Sequence, residues 1–377
     1  MTLTRLFARL ATIAIAVAFV AGCGTDTAST QASPPSSTSS PGTPTTGDVP
    51  NEPVQGLLDA WAADGRGGVS VALAGNDGEL TAAAAGSAGP DGSAIEPDSE
   101  FRVGSLSKTF VAAMLLQLVA DGTIGLDDLV VDHAPDVTIA DGVTIRQLLA
   151  HRSGIPEHTD GELAPAVLAD LSRTWTPADV LELVAGQSRD FAPDDRFAYS
   201  NTNYIVAGLL LEAVTGSSLA DNLRTRIVEP LGLASTYFAP DEARSPIGGF
   251  SPSLPGGDTG GASYHALETA AGAAGALVST APDLATFIRA LARGEVVPEA
   301  TYADMVRGLP ADGQALGVFA SDPPSATGIS NSGAIPGFVA YMQYDPTTED
   351  LFVLLLNDDS RSPEALASEL LEFVAAG

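Results

Sequence analysis

The sequence predicts an α+β protein: one antiparallel sheet built from both chain ends and flanked by helices, with a mainly helical lobe inserted. Three observations predict it. A hairpin signal stands near the start, segments with helix-start signals fill the middle, and strand-like runs followed by an amphipathic segment close the chain. In order, Pro53 to Ala63 carries Leu57, Leu58 and Trp61 at helical spacing. Val69 to Ala74 and Leu80 to Ala85 are short strands around Gly75-Asn76-Asp77-Gly78, a strong hairpin turn. Val111 to Ala120 is apolar except for Gln117, too short to span a bilayer and too apolar for a surface helix, so it reads as a buried core helix. Thr144-Ile145-Arg146-Gln147 has the form of a capping box, and Thr176-Pro177-Ala178-Asp179 offers an N-cap with proline at the first helical position. Asn201 to Val214 and Ser218 to Val228 continue the helices, and the stretch from about 240 to 265 reads as loop. Thr280 to Ala292 is helical, Leu316 to Ala320, Phe338 to Tyr344 and Leu351 to Leu356 are strands, and Pro363 to Ala376 is a closing helix. The sheet lobe is expected at about 51–130 and 270–377, and the helical lobe at about 131–269.

The first 50 residues stand apart from this pattern. Arg5 and Arg9 precede an uncharged stretch from Leu10 to Gly22, the layout of a secretory signal peptide over 1–22. The run Val20-Ala21-Gly22-Cys23 resembles a bacterial lipobox, which implies lipidation of Cys23 and anchoring to the outer face of the cell membrane. Cys23 is the only cysteine, so no intrachain disulfide is possible. Residues 23–50, rich in Ser, Thr and Pro, cannot bury enough apolar surface to fold and read as a tether to a domain over 51–377. The 47 acidic and 17 basic residues give a formal charge of −30, which argues against nucleic acid as a partner. The acids are scattered, as on a solvated surface.

Three short segments carry chemistry. Ser105 and Lys108, three residues apart at the start of the apolar helix, share one face. A serine needs a base beside it, and a buried lysine can be that base because desolvation disfavours its ammonium. In Tyr199-Ser200-Asn201, a tyrosine near a lysine ammonium is expected to exist partly as phenolate and to shuttle protons, while Asn201 offers a donor and an acceptor. In Asn331-Ser332-Gly333-Ala334, a glycine beside a strand lets substrate approach the backbone, and an N–H there paired with that of Ser105 would form an oxyanion hole. Taken singly, the last two read better as a helix N-cap at Asn201 with Tyr199 packed in the core, and as a glycine-rich turn before a strand.

Together and in this order, the three segments resemble the class C β-lactamase-like serine hydrolases, a group that includes DD-carboxypeptidases, D-stereospecific amidases and carboxylesterases. The resemblance covers about residues 55–375 and implies a β-lactamase/transpeptidase-like fold. It also implies Ser105 as nucleophile, Lys108 as base, Tyr199 as proton carrier and Asn201 as holder of the substrate amide. The oxyanion hole would be the N–H groups of Ser105 and Ala334, with Asn331, Ser332 and Gly333 at the substrate. No metal or organic cofactor is implied. The expected substrate is a small molecule or peptide, peptidoglycan stem peptide included. One position departs: Asn331 stands where the family usually has Lys or His, which puts recognition of a substrate carboxylate in doubt and favours neutral esters and amides.

Rival readings have less behind them. The chain lacks the Gly-x-Ser-x-Gly elbow of an α/β-hydrolase, and His133, His151, His158 and His265 show no zinc-ligand spacing. A catalytically inactive binding lipoprotein of the cell envelope on the same fold is the alternative, and intact Ser105, Lys108, Tyr199 and Asn201 argue against it.

Overall fold

The computed structural model describes residues 52–75, 78–89, 91–254, 264–308, 314–321 and 324–376. Cys23 and the predicted leader and tether, Asn76 and Asp77 of the predicted turn, and most of the later part of the predicted 240–265 loop lie outside them. The chain begins with α1 (Glu52–Ala62), β1 (Gly68–Ala74), β2 (Thr81–Gly86) and the short β3 (Phe101–Arg102). A 3-10 turn, Gly104–Leu106, leads directly into α2 (Ser107–Ala120). The inserted region supplies α3 (Ile145–Leu149), α4 (Leu163–Ala169), α5 (Pro177–Glu182), α6 (Thr202–Thr215) and β4 (Tyr237–Phe238). The chain returns through α7 (His265–Gly275), β5 (Leu277–Ser279) and α8 (Ala281–Ala292). It ends with β6 (Phe319–Ala320), β7 (Ile329–Ile335), β8 (Phe338–Tyr344), β9 (Leu351–Leu356) and α9 (Glu364–Ala376).

Among the described residues the main sheet runs β2-β1-β9-β8-β7-β6, antiparallel throughout, so strands from the two chain ends lie side by side. Val69 faces Leu356 and Ala74 faces Leu351 in that central pairing. β1 and β9 are buried along their whole length, which explains why both read as continuous apolar runs instead of alternating ones. One face of the sheet is covered by α1 and α9, through Val54, Leu58, Leu366 and Leu370. The other packs on α8 and the helical lobe in a second, larger core. A small sheet, β3-β5-β4, links the strand before Ser105 to the lobe.

The helix starts follow the sequence chemistry. Thr144 and Thr176 both close reciprocal capping boxes, with Gln147 and Asp179 respectively. α2 is buried nearly all round, and its one mid-helix polar residue, Gln117, gives its amide protons to the carbonyls of Arg226 and Val296. Two expectations change. The segment around Gly333 is no turn before a strand: Ile329 to Ile335 is itself a strand, paired with β8 along its length. The predicted strand from Leu316 to Ala320 keeps only Phe319–Ala320, because Gly317 takes a left-handed φ of 75° that an extended run cannot contain.

Candidate active site

The site is set by where α2 begins. Ser105 lies in the 3-10 turn just ahead of the helix, so three residues make one turn and Lys108 comes round beside it. Lys108 Nζ lies 2.9 Å from Ser105 Oγ, 2.7 Å from Asn201 Oδ1 and 2.7 Å from the Ala274 carbonyl. The carbonyl comes from α7 just past a break at Gly272, where φ is 43°. Tyr199 donates its hydroxyl to the same Ser105 Oγ at 2.8 Å. Thus the structure brings Ser105 and Lys108 together with Tyr199 and Asn201 from a second stretch of chain, and the Ala274 carbonyl from a third.

Burial tunes the two titratable partners in opposite senses. Lys108 is fully enclosed, and desolvation lowers its pKa to about 7, against a smaller opposing pull from the Glu157 carboxylate. An amine near neutrality has two N–H bonds for Asn201 and Ala274 and keeps its lone pair for Ser105. Desolvation pushes Tyr199 well above its ordinary value, only partly offset by its bond to Ser105. The expected phenolate is therefore corrected: a charged oxygen is as costly in this pocket as a charged nitrogen, so Tyr199 stays a phenol and Lys108 is the group that titrates.

Asn201 precedes α6, but its side chain caps nothing. Its own N–H is taken by the carboxylate of Glu157, whose other oxygen accepts from Thr159 N at 2.9 Å. Glu157 thereby holds the helix start and frees the Asn201 amide for Lys108. Sequence reasoning missed Glu157: its bond to Thr159 is an ordinary local turn contact, and Asn201, the partner that matters, lies 44 residues on.

The edge of β7 beyond its short pairing with β6 packs against the Ser105 turn. A Cβ on Gly333 would sit 2.0 Å from the Val103 carbonyl oxygen and 2.9 Å from Ser105 N, and one on Gly104 would sit 2.8 Å from Ala334 N. The backbones at Ser105 and Ala334 thus lie against each other, and both residues line the main cavity. Gly333→Ala is expected to cost about 3 kcal/mol or more through that clash, or to push the Ser105 turn aside. Thermal unfolding together with the rate of fluorophosphonate labelling checks it; an alanine variant with wild-type Tm and labelling rate would show that the strand has room to yield.

None of the three β7 residues expected at the substrate lines the main cavity. Asn331 is 4% exposed, and its amide donates to Thr109 Oγ1 at 2.8 Å, while its Oδ1 accepts from Ser332 N. It borders a small cavity behind Lys108 and Tyr199, of about 10 Å³. Ser332 and Gly333 are not among the residues that line the main cavity either, because β7 presents Gly333 to the Ser105 turn; Ala334, Ile335 and Pro336 line it instead. That main cavity measures about 390 Å³ and opens onto Ser105, Tyr199 and Asn201. Much of its lining is apolar, from Leu163 and Val167 of α4 and Leu267 and Ala271 of α7, and it also includes Glu157 and Asp160. No lysine or arginine lines it among the described residues.

A six-stranded antiparallel sheet, a helical lobe and a serine turn wedged between them define a β-lactamase-fold hydrolase. The chain belongs to the Beta-lactamase family, whose model matches residues 55–376. It is 35% identical over 158 residues to "Penicillin-binding protein 4" of Amycolatopsis lactamdurans, covering 40% of this chain and 39% of that protein. It is 33% identical over 169 residues to "Unguisins hydrolase ungD'" of Aspergillus campestris, covering 40% of this chain and 29% of that protein. The alignment thus spans well under half the length of each of these curated relatives. Solved structures align more fully. The D-stereospecific amidohydrolase from Streptomyces sp. superposes with a TM-score of 0.69 at 29% identity, over 81% of this chain and 94% of that one. The D-amino acid amidase from Ochrobactrum anthropi SV3, in complex with L-phenylalanine amide, gives 0.71 at 28% identity, over 83% and 93%.

Proposed function

We propose that this protein is an exported serine hydrolase that cleaves an amide or ester through an acyl-enzyme on Ser105, with Lys108 of the Ser-x-x-Lys pair as base. The observation that carries this reading is one serine oxygen within hydrogen-bond reach of both a buried lysine poised near pH 7 and a protonated tyrosine. Neutral Lys108 takes the Ser105 proton as Oγ attacks the carbonyl. The N–H groups of Ser105 and Ala334 receive the developing oxyanion. Tyr199 gives its proton to the leaving nitrogen or oxygen, and the proton on Lys108 restores the phenol. Water then attacks the acyl-enzyme by the same steps in reverse, releasing the acid and Ser105.

The cavity favours a substrate with an apolar side chain and a neutral or amine-bearing acyl part. Its lining is largely aliphatic, includes Glu157 and Asp160, and has no lysine or arginine among the described residues to hold a carboxylate. The relatives named for D-amino acid amides and D-stereospecific amide hydrolysis support the same class. A panel of D- and L-phenylalanine amide, a neutral aryl ester, a penicillin and a D-Ala-D-Ala peptide, with Ser105→Ala as control, tests it. The amides and the ester are expected to be turned over at least about tenfold faster than the penicillin, the difference that about 1.4 kcal/mol of recognition makes. A preference for the penicillin or the D-Ala-D-Ala peptide would overturn the substrate class. Absence of all turnover and of fluorophosphonate labelling would favour the inactive binding lipoprotein instead.

The anchoring rests on the sequence pattern alone. Cys23→Ser is expected to shift the protein out of the detergent phase or to block its maturation, and unchanged partitioning would sink the anchor at Cys23.

A further inference from the structure

We infer that His151 is the positioning residue for Tyr199, gripping the tyrosine's backbone on both sides and stacking on its ring. The inference rests on the role given to Tyr199 above. His151 follows α3 with a left-handed φ of 55°, a conformation that glycine and asparagine adopt at least as readily as histidine. Backbone preference therefore does not single out a histidine; its contacts do. The His151 carbonyl accepts from Ala198 N at 3.0 Å, and its ring Nδ1 accepts from Ser200 N at 3.1 Å. The residues before and after Tyr199 are thus both fastened to one side chain and its own carbonyl. Between them the imidazole stacks on the Tyr199 ring, centroids 4.4 Å apart and planes 27° from parallel.

The other surroundings hold the imidazole in turn. Tyr204 packs at 5.3 Å and Phe197 meets the ring edge-on at 5.9 Å. The amide of Asn203 approaches Nδ1 at 3.4 Å, and Ser153 Oγ fixes that amide by donating to its Oδ1 at 2.5 Å. Nδ1 faces two N–H donors, so the ring proton belongs on Nε2. Burial and the nearby Lys108 charge keep the ring neutral, with a pKa of about 3. A neutral ring supplies no charge and no proton over the working range, so its contribution is orientation. A proton carrier must lie within a few tenths of an ångström of its productive place, and a misplacement of about 1 Å can cost about 10²-fold.

Two variants each keep one of the two holds. His151→Asn suits the left-handed backbone and retains an acceptor for Ser200 N but loses the stack; His151→Phe retains the stack and loses the acceptor. Both are made in the full chain, titrated with a fluorophosphonate so that only folded sites are counted, and assayed on an amide and on a p-nitrophenyl ester of the same acyl group. In acylation only the amide needs a proton delivered to its leaving group, so the ester is followed by its pre-steady-state release of p-nitrophenol, which reads acylation alone. Expected are a fall in amide kcat of about 10- to 100-fold with KM within about threefold, an ester acylation rate within about threefold, and no further loss in a Tyr199→Phe background. Equal losses on amide and ester, or a full additional loss in the Tyr199→Phe background, would overturn the inference while leaving Tyr199 in its role. Tyr199→Phe with wild-type amide turnover would overturn that role, and the inference with it. If one variant does not fold, the other decides on the same criteria.

Discussion

Ser105→Ala is expected to abolish covalent labelling by a fluorophosphonate or a fluorescent penicillin and to lower amide turnover by about 10³-fold or more. The neighbouring serines are engaged elsewhere. Ser107 is buried and committed, donating to the Gly104 carbonyl at 2.7 Å and accepting from Leu277 N at 3.0 Å. Ser200 points to the Pro156 carbonyl, away from the lysine. Ser253 lines the cavity, but its backbone N–H is bonded to Ser251 Oγ, and its own hydroxyl pairs with that same oxygen. Lys108→Ala and Tyr199→Phe are each expected to slow acylation by an amide about 10²- to 10⁴-fold. The two act on one proton path, so the double variant should lose little more than either single one. Labelling that persists in Ser105→Ala, located by the mass of the modified peptide, would show that another residue is the nucleophile.

The parts of this site that were legible in the sequence are the ones whose geometry is local. Ser105 and Lys108 fall three apart on one tight turn, and the apolar run behind them has room only in a core, so their meeting follows from chain geometry. The capping boxes at Thr144 and Thr176 are equally local. β7 was hidden because Ile-Ser-Asn-Ser-Gly-Ala-Ile carries small and polar residues of low strand preference. It becomes a strand through pairing with β8 along its length and with β6 at its start, a tertiary effect overriding local preference. Asn331 was expected at the substrate because the resemblance puts there a residue that faces a substrate carboxylate. Here its amide is used inside, on Thr109. Glu157 and the hold of His151 on Tyr199 join positions more than 40 residues apart and leave no periodic trace. The phenolate expectation failed for a different reason: the desolvation argument applied to the lysine holds with opposite sign for the tyrosine.

That pairing of a lowered lysine with a raised tyrosine gives the second large effect, the pH dependence. For a neutral ester, kcat/KM is expected to rise about tenfold per pH unit well below pH 7 and to level off above it, as Lys108 loses its proton. Tyr199 keeps its proton well beyond its ordinary range, so no alkaline fall is expected before about pH 10. Glu157 pulls the lysine upward, and Glu157→Gln should therefore move the acid limb to lower pH while leaving an acceptor for Asn201 N. The same group links to stability. Lys108 binds its proton less tightly in the folded protein, at about 7, than at the ordinary lysine value of 10.5 in the unfolded chain. Below pH 7 both states carry the proton, and the cost of burying the charge is fully present. Between pH 7 and 10.5 the unfolded chain holds more protons, so this group makes stability rise with pH across that window. Other groups titrate there too, so the measurement is a difference: Tm of wild type minus Tm of Lys108→Met should grow from pH 7 to 10 and be flat from pH 5 to 6.5. A kcat/KM that is flat through pH 7, or a Tm difference with no slope above it, would mean that Lys108 keeps its charge in the folded site and cannot be the base.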